Sequence, residues 1–221
     1  MLRIAGCGSL RYAPRQRSSS GVERMDINVG IVLFEDAEEL DFVGPWEVFG
    51  MAAHERRELK PFFVAERAGV IRCAKGMRVV ADHSFDDAPR IDVLLVPGGQ
   101  GTRREVSNRA MIDWIARVAP GCRWVTSVCT GSLLLVEAGP GRGKQVTTHW
   151  GFVETLRRRE DATVLDDVRF VRDGNLVTSA GVSAGIDMSL WLIGQLYDPA
   201  FARHVQRRME YDPAPPYTAA A

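Results

Sequence analysis

A run of apolar residues at positions 27–34 constrains the fold of this chain more than any other feature of its sequence. The run is about eight residues long and rich in β-branched residues, which is the pattern of a strand buried on both faces of a parallel sheet. Similar runs occur at 62–66, 93–96 and 124–127, and weaker ones at 146–147 and 175–179. The first run is therefore predicted to be a central strand.

Helical segments alternate with these runs. Residues 45–53 begin with Pro45, which suits the first turn of a helix, and residues 109–119 place apolar side chains three and four positions apart. Further helices are predicted at 129–137, 150–159, 184–196 and 200–209. This alternation predicts right-handed βαβ units and an open α/β sandwich whose sheet is covered on both faces. The dipeptide Asp173-Gly174 predicts a small β-hairpin within 168–178.

The chain has 221 residues, which suffice for one domain that needs no disulfide or metal to hold it. Residues 1–24 lack hydrophobic periodicity and are rich in Gly, Ser and Arg, so we expect a disordered leader. Met25 stands directly before the first predicted strand, so the same segment can equally be an upstream extension. A single domain is predicted over 25–217.

The formal net charge is zero, from 28 basic and 28 acidic residues. The first 24 residues carry five arginines and one glutamate, which leaves 23 basic and 27 acidic residues for the rest of the chain. This mildly acidic balance disfavours nucleic acid or an anionic membrane as the main partner. No apolar run reaches the roughly 18 residues of a membrane span.

Four cysteines, Cys7, Cys73, Cys122 and Cys129, show no CxxC spacing, which argues against a zinc site or a disulfide framework. We therefore expect reduced thiols, a cytoplasmic location, and neither a metal nor another cofactor. A cysteine in an apolar context is usually a small buried side chain, and this is the expectation for all of them except Cys129.

Ligand sites in open α/β sheets lie beyond the carboxyl ends of the strands, and three such junctions here are unusual. An acidic stretch that contains Asp41 follows the first strand, and Gly98-Gly99 follows residues 93–96. Cys129 follows 124–127 and precedes a helix that begins with small residues, the pattern of a nucleophile elbow. The helix start is expected to lower the pKa of Cys129 and, with an N–H of the glycine loop, to hold a developing anion.

Five stretches of the chain, taken in order, resemble the ThiJ/PfpI superfamily, which has the class I glutamine amidotransferase-like fold. They are residues 40–49 (LDFVGPWEVF), 92–99, 127–132, 147–150 and 181–187. The tail at 210–216 (EYDPAPP) resembles the ending of the isonitrile hydratase branch. The resemblance extends over about residues 27–217 and implies a flavodoxin-like three-layer sandwich with a mainly parallel central sheet.

By this resemblance, Cys129 is the nucleophile, Asp41 is the catalytic aspartate of the hydratases, and Thr130 is the threonine that follows their nucleophile. PfpI-type proteases have histidine at that last position, so a protease is disfavoured. The implied reaction is that of a lyase, the hydration of an isonitrile to an N-substituted formamide. Cys129 would attack the terminal carbon, Asp41 would move protons, and the N–H groups of Gly99 and Thr130 would hold the anion. Proton transfer by Asp41 requires a pKa raised by burial beside the thiol.

Alternatives remain at this stage. His149 can line the site, act as a base for Cys129, or bond locally at a helix start. The chain can also be a glyoxalase- or deglycase-type member of the superfamily, or a redox-responsive stress protein that uses the same cysteine. The short tail after the last predicted helix argues against a regulator with a helix-turn-helix. The expected partners are a small electrophile and a second copy of the chain in a homodimer, without nucleic acid or membrane.

Overall fold

The computed structural model describes residues 25–213, so the predicted leader at 1–24, which includes Cys7, and the predicted domain end at 214–217 lie outside the described residues. The strands are β1 (Ile27–Val32), β2 (Leu59–Ala65), β3 (Gly69–Arg72), β4 (Arg78–Ala81), β5 (His83–Ser84), β6 (Val93–Val96), β7 (Trp124–Val128), β8 (Gln145–Val146), β9 (Thr163–Val164), β10 (Phe170–Asp173) and β11 (Leu176–Ser179). The helices are α1 (Glu39–Ala53), α2 (Thr102–Glu105), α3 (Arg109–Val118), α4 (Gly131–Ala138), α5 (Val153–Arg157), α6 (Ala184–Leu196) and α7 (Pro199–Arg208). Single turns of 3₁₀ helix occur at Ala119–Gly121 and Trp150–Phe152.

A seven-stranded sheet forms the centre of the fold, in the order β10-β11-β7-β6-β1-β2-β5. Every neighbouring pair is parallel except β10 and β11, which form an antiparallel hairpin at one edge. Strands β6 and β7 are buried along their whole length because helices cover both faces of the sheet. The predicted α/β sandwich with a mainly parallel sheet is confirmed.

Helices α1, α6 and α7 pack against one another on one face of the sheet, and α2, α3 and α4 lie together on the other. Phe63 of β2 meets the edge of Phe42 at a centroid distance of 5.8 Å and stacks on Trp46 at 4.2 Å, which joins α1 to the sheet. Each such aromatic pair contributes about 1 kcal/mol beyond its buried area. Among residues 25–213, no helix has both the length and the apolar character that crossing a bilayer requires.

The chain changes its direction of travel across the sheet between β1 and β6. From β1 it passes through α1 to β2 on one side, and it later adds β6, β7 and β11 on the other side. In open α/β sheets, the crevice at such a switch point is where ligands bind. The segments that follow β1 and β6 meet there through an isolated bridge between Ala37 and Gly99.

Helix α1 is longer than the sequence predicts. The expected helix at 45–53 has Pro45 in its first turn, whereas the observed helix begins at Glu39 and contains Pro45 in its interior. An interior proline removes one backbone hydrogen bond and crowds the residue before it. Gly44 has no Cβ to be crowded, and burial of the apolar side chains of α1 offsets the lost bond. Asp41 consequently lies within the first turn of the helix.

Two small sheets were not expected. Strands β3 and β4 form an antiparallel hairpin of their own, and Gly76 with a φ of 93° lies in the segment between them. Residues 146–147, predicted as a strand, contribute only Val146 to β8, which pairs with β9 outside the central sheet. These short strands lack the long apolar runs that identify the central ones.

The predicted hairpin at 168–178 is present with its turn shifted by one residue. Asp173 pairs with Leu176, so the two-residue turn is Gly174-Asn175 and not Asp173-Gly174. Gly174 has a φ of 66°, which belongs to the left-handed region that two-residue hairpin turns require.

Candidate active site

Cys129 lies between β7 and α4, with its backbone in the left-handed region at a φ of 55°. Its N–H donates to the carbonyl oxygens of Ser179 and Ala180 at 3.1 and 3.0 Å. Its own carbonyl oxygen accepts from Ser132 Oγ at 3.1 Å and from Thr148 Oγ1 at 3.0 Å. A non-glycine residue in this region is uncommon and is retained only where the surroundings fix it. The backbone of Cys129 is therefore held rigidly at the carboxyl edge of the sheet.

Asp41 is fully buried behind this residue. The N–H of Gly98 donates to Asp41 Oδ2 at 2.8 Å, while Oδ1 has no hydrogen-bond partner. Burial raises the pKa of Asp41 from 3.8 to about 7, and the nearby Glu38 carboxylate also raises it, against the lowering effects of the Gly98 N–H and the Cys129 thiol. A pKa raised by burial is what the proton-transfer role requires of Asp41, and Asp41 meets this requirement.

The pKa of Cys129 was expected to be low, and this expectation is wrong. Burial, together with the negative charge of Asp41, raises the pKa of the thiol to about 12. The N–H and hydroxyl of Thr130 and the N–H of Val182 act in the opposite direction without overcoming burial. A helix start stabilises an anion by roughly 0.3–1 kcal/mol, which is less than one pKa unit. Cys129 is therefore a thiol at neutral pH.

Thr130 connects the cysteine to the glycine loop. Its Oγ1 accepts from the N–H of Gly99 at 3.1 Å and lies 3.0 Å from Thr102 Oγ1. The N–H of Gly99, which was expected to hold a substrate anion, is thus bonded to the Thr130 hydroxyl, and the N–H of Gly98 is bonded to Asp41. Neither loop N–H is free, because the loop uses both to fix the two side chains beside Cys129.

Gly98 and Gly99 are needed for this close approach. A Cβ on Gly98 would lie 2.5 Å from Thr130 N and 2.8 Å from Asp41 Oδ2. Gly99 has a φ of 119°, and a Cβ there would lie 2.4 Å from the Glu38 N atom. No larger residue fits either position without moving the backbone or the side chains of the site.

A cavity of about 300 Å³ opens beside the cysteine and is lined by Cys129, Thr130, Gly99, His149, Arg103 and Val182, among others. This volume is at the lower end of the range for small-molecule sites. A larger cavity of about 630 Å³ lies between the segments after β1 and β2 and contains neither Cys129 nor Asp41. The smaller cavity is the one that reaches Cys129, whereas Asp41 is buried and does not line it.

His149 lines this cavity and also bonds locally. Of its three predicted roles, lining the site and bonding locally at a helix start are therefore compatible with the structure. Its Nδ1 accepts from the N–H of Gly151 at 3.1 Å, which places the proton of the neutral ring on Nε2. A Cβ on Gly181 would lie 2.4 Å from His149 Cδ2, so the ring packs directly against that glycine. With Nδ1 occupied, the imidazole presents a donor and not a base.

Two residues of the site were not found from the sequence. Val182 contributes an N–H that acts on the Cys129 sulfur, and it has a φ of 50°, a strained conformation for a β-branched residue. Arg103 lines the cavity next to Phe152. No pattern in the sequence marks Val182, whereas Arg103 could have been suspected because it comes four residues after Gly99 of the glycine loop.

The other described cysteines, Cys73 and Cys122, are free and buried, and burial raises their pKa values to about 11 and about 12. Both match the inert buried side chains that the sequence predicted. Within the described range, no three His, Cys, Asp or Glu side chains form a group that could hold a metal ion.

Comparison with known proteins agrees with the fold. A model of the DJ-1/PfpI family matches residues 28–195. An isonitrile hydratase of Pseudomonas putida is 37% identical over 193 residues, which cover 87% of this chain and 82% of that protein. The HTH-type transcriptional regulator CdhR of Pseudomonas aeruginosa is 29% identical over 140 residues, which cover 63% of this chain and 41% of the regulator.

A solved structure gives the same result. The crystal structure of a ThiJ/PfpI family protein from Pseudomonas syringae superimposes with a TM-score of 0.81 and 32% sequence identity, covering 89% of this chain and 79% of that one. Since the family model, the hydratase and this structure each match most of the chain, the chain belongs to the DJ-1/PfpI family, also called ThiJ/PfpI.

Proposed function

We propose that this protein hydrates an isonitrile to an N-substituted formamide, with Cys129 as the nucleophile and Asp41 as the proton carrier. One observation carries the proposal: a thiol on a fixed, left-handed backbone lies against a buried carboxyl group whose pKa is about 7. A base with this pKa can take and return a proton near neutral pH. The 37% identity to an isonitrile hydratase supports the choice of reaction.

In the first step, the Cys129 Sγ–H proton passes to the ionised Asp41 as the sulfur attacks the terminal carbon of R–NC. A new S–C bond forms, and Asp41 then delivers the proton to that same carbon. The product is a thioimidate, R–N=CH–S–Cys129, and Asp41 is again a carboxylate. Because the pKa of the thiol is about 12, the attack depends on this transfer and not on a resident thiolate.

In the second step, water adds to the thioimidate carbon. Asp41 takes one water proton and gives it to the nitrogen, so the intermediate is R–NH–CH(OH)–S–Cys129. Collapse of this intermediate breaks the S–C bond, and the hydroxyl proton returns through Asp41 to the sulfur. The net change is the addition of one water molecule to R–NC, which gives R–NH–CHO.

The surrounding groups have supporting roles in this proposal. The N–H groups of Thr130 and Val182 stabilise negative charge on the sulfur, because both lower the pKa of the thiol. The Thr130 hydroxyl fixes the glycine loop through the N–H of Gly99, and Gly98 orients Asp41. His149 offers its Nε2–H at the wall of the cavity as a donor to substrate or water.

The alternative within the family is a redox-responsive protein or a glyoxalase-type enzyme that uses the same cysteine. Oxidation by peroxide requires a thiolate, and burial of Cys129 beside Asp41 raises the pKa of its thiol, which disfavours this alternative. A glyoxalase-type reaction uses the same thiol on a carbonyl carbon and is separated from hydration by assay. We further propose that the protein works in the cytoplasm as a homodimer on a small electrophile.

The test uses purified protein with cyclohexyl isonitrile and, in parallel, with methylglyoxal. We expect formation of N-cyclohexylformamide, and its abolition by Cys129→Ala and by Asp41→Asn. Cys122→Ala is the matched control, because this buried thiol donates to the Val118 carbonyl oxygen outside the cavity. Consumption of methylglyoxal without formamide, or substantial formamide production by Cys129→Ala, would refute the assignment.

A further inference from the structure

Arg103 lies beside the cavity that contains Cys129. Its Nη1 donates to the Gly99 carbonyl oxygen at 2.9 Å and to Thr102 Oγ1 at 3.2 Å. Its guanidinium carbon lies 4.6 Å from the centre of the Phe152 ring, which also lines the cavity. The guanidinium group is therefore held in place on the wall of the site, although the side chain is exposed.

The positive charge of Arg103 has no partner in the part of the chain that the structure describes. The neighbouring Arg104 is paired with Asp36 and Glu105, whereas Arg103 forms no ion pair with any described Asp or Glu. Glu38, the carboxylate that shares the cavity with Arg103, is paired with Lys75. The cavity thus contains one guanidinium whose charge the surrounding residues leave uncompensated.

Arg103 uses only part of its hydrogen-bonding capacity on the protein. Only Nη1 makes hydrogen bonds to described residues, at Gly99, Thr102 and Thr130. Nε and Nη2 form the other edge of the planar group, and this edge matches the two oxygens of a carboxylate. An uncharged substrate would leave both the charge and this edge to solvent alone.

We propose that the substrate carries an anionic group, a carboxylate in the first instance, which Arg103 binds while the reactive carbon lies at Cys129. The inference rests on the proposed function for the nature of the reactive group, and it narrows the substrate class to small isocyano acids. A cavity of about 300 Å³ has room for a short acid.

The first experiment compares isocyanoacetate with methyl isocyanoacetate, which differ in charge and little in size. In the wild type, we expect kcat/KM to be about tenfold higher for the acid than for the ester. This factor is at the lower end of the range for charge-assisted hydrogen bonds, because the site is partly exposed. Arg103→Gln should reduce this ratio to about one, mainly through the KM of the acid; a loss of activity shared by acid and ester through the bonds of Arg103 to the loop does not change the ratio. Arg104→Gln, which removes a paired arginine outside the cavity, should keep the wild-type ratio.

The second experiment does not depend on isonitrile chemistry. Iodoacetate and iodoacetamide both alkylate the Cys129 sulfur with loss of iodide, and they differ in the charge near the reacting carbon. The rate of alkylation at Cys129 by iodoacetate, divided by the rate with iodoacetamide, is measured by peptide mass spectrometry. This ratio should be about tenfold higher in the wild type than in Arg103→Gln.

The outcomes separate the two proposals. An equal preference for acid and ester in a wild type that hydrates both, or an unchanged ratio in Arg103→Gln, would overturn the anionic-substrate inference and leave the hydratase intact. If the wild type hydrates neither compound nor cyclohexyl isonitrile, the proposed function fails. The alkylation ratio then decides the anion site alone, and a ratio that is the same in wild type and Arg103→Gln refutes it.

Discussion

Replacing Asp41 with asparagine should stabilise the protein at alkaline pH while abolishing its activity. Asp41 is fully buried and has a pKa of about 7 in the folded protein against 3.8 ordinarily. Burial of a carboxylate is unfavourable, and asparagine has nearly the same shape without the charge. The Gly98 N–H can donate to the asparagine oxygen as it does to Asp41 Oδ2.

The sign and size of this stability change follow from the pKa of Asp41 in the folded protein and its ordinary value in the unfolded chain. Between pH 3.8 and about 7, the folded protein holds a proton on Asp41 that the unfolded chain has released, so the free energy of unfolding falls as pH rises. The loss is complete above the folded pKa, where three pKa units correspond to about 4 kcal/mol. Between pH 5 and pH 8, the unfolding free energy of Asp41→Asn should therefore gain about 3 kcal/mol relative to wild type.

The measurement is urea unfolding of both proteins at pH 5, 6, 7 and 8, with the difference between them plotted against pH. Titrating groups that do not interact with Asp41 cancel in this difference. A buried amide N–H₂ in the place of the unpartnered Oδ1 costs about 1–3 kcal/mol, which shifts the curve downward without changing its slope.

The control is Asp173→Asn, another removal of a single carboxylate. The Gln145 N–H and Lys144 lower the pKa of Asp173, so this group is ionised in both states throughout the range and the variant should be destabilised by a constant amount. If the curve for Asp41→Asn is equally flat between pH 5 and pH 8, Asp41 does not have a raised pKa, and the proton transfers assigned to it lose their basis.

Two further predictions concern activity. In Gly98→Ala, the new Cβ would lie 2.8 Å from Asp41 Oδ2 and 2.5 Å from Thr130 N, so both residues must move and kcat/KM should fall about 100-fold. The control is Gly50→Ala, where a Cβ meets nothing within 4 Å and activity should be retained. Near-normal hydration by Gly98→Ala would contradict the role of the loop. The logarithm of kcat/KM should rise with pH and level off near pH 7 as Asp41 ionises, and a profile that is flat from pH 5 to pH 9 would exclude Asp41 as the base.

The central sheet could be predicted because its strands are marked by their own composition. Buried parallel strands such as β6 are continuous apolar runs, and this signal depends on no distant contact. The start of α1 could not be predicted, since Pro45 is a strong local signal for a first turn and only tertiary packing overrides it. The hairpin of β3 and β4 was missed because its residues are only partly buried and show no long apolar run.

The members of the site could be predicted in part for a similar reason. Cys129 and Gly98 follow strands of a parallel sheet, so topology alone brings them to one edge. Which N–H groups remain free could not be predicted, because the loop bonds to Asp41 and Thr130 depend on side-chain placement across three elements. Val182 is contributed by a fourth segment, before α6, where the sequence offers no pattern to read.

The error about the pKa of Cys129 bears on the kind of reaction the site can perform. A helix start suggests a resident thiolate, but burial of the thiol beside Asp41 outweighs it by several pKa units. A resident thiolate would react with peroxide and with any electrophile in reach. A thiol that loses its proton to Asp41 only during attack favours a substrate whose carbon takes up that proton in the next step. An isonitrile meets this condition, because its terminal carbon accepts the sulfur and then the proton. Burial of the pair therefore favours addition to such a carbon over oxidation of the sulfur.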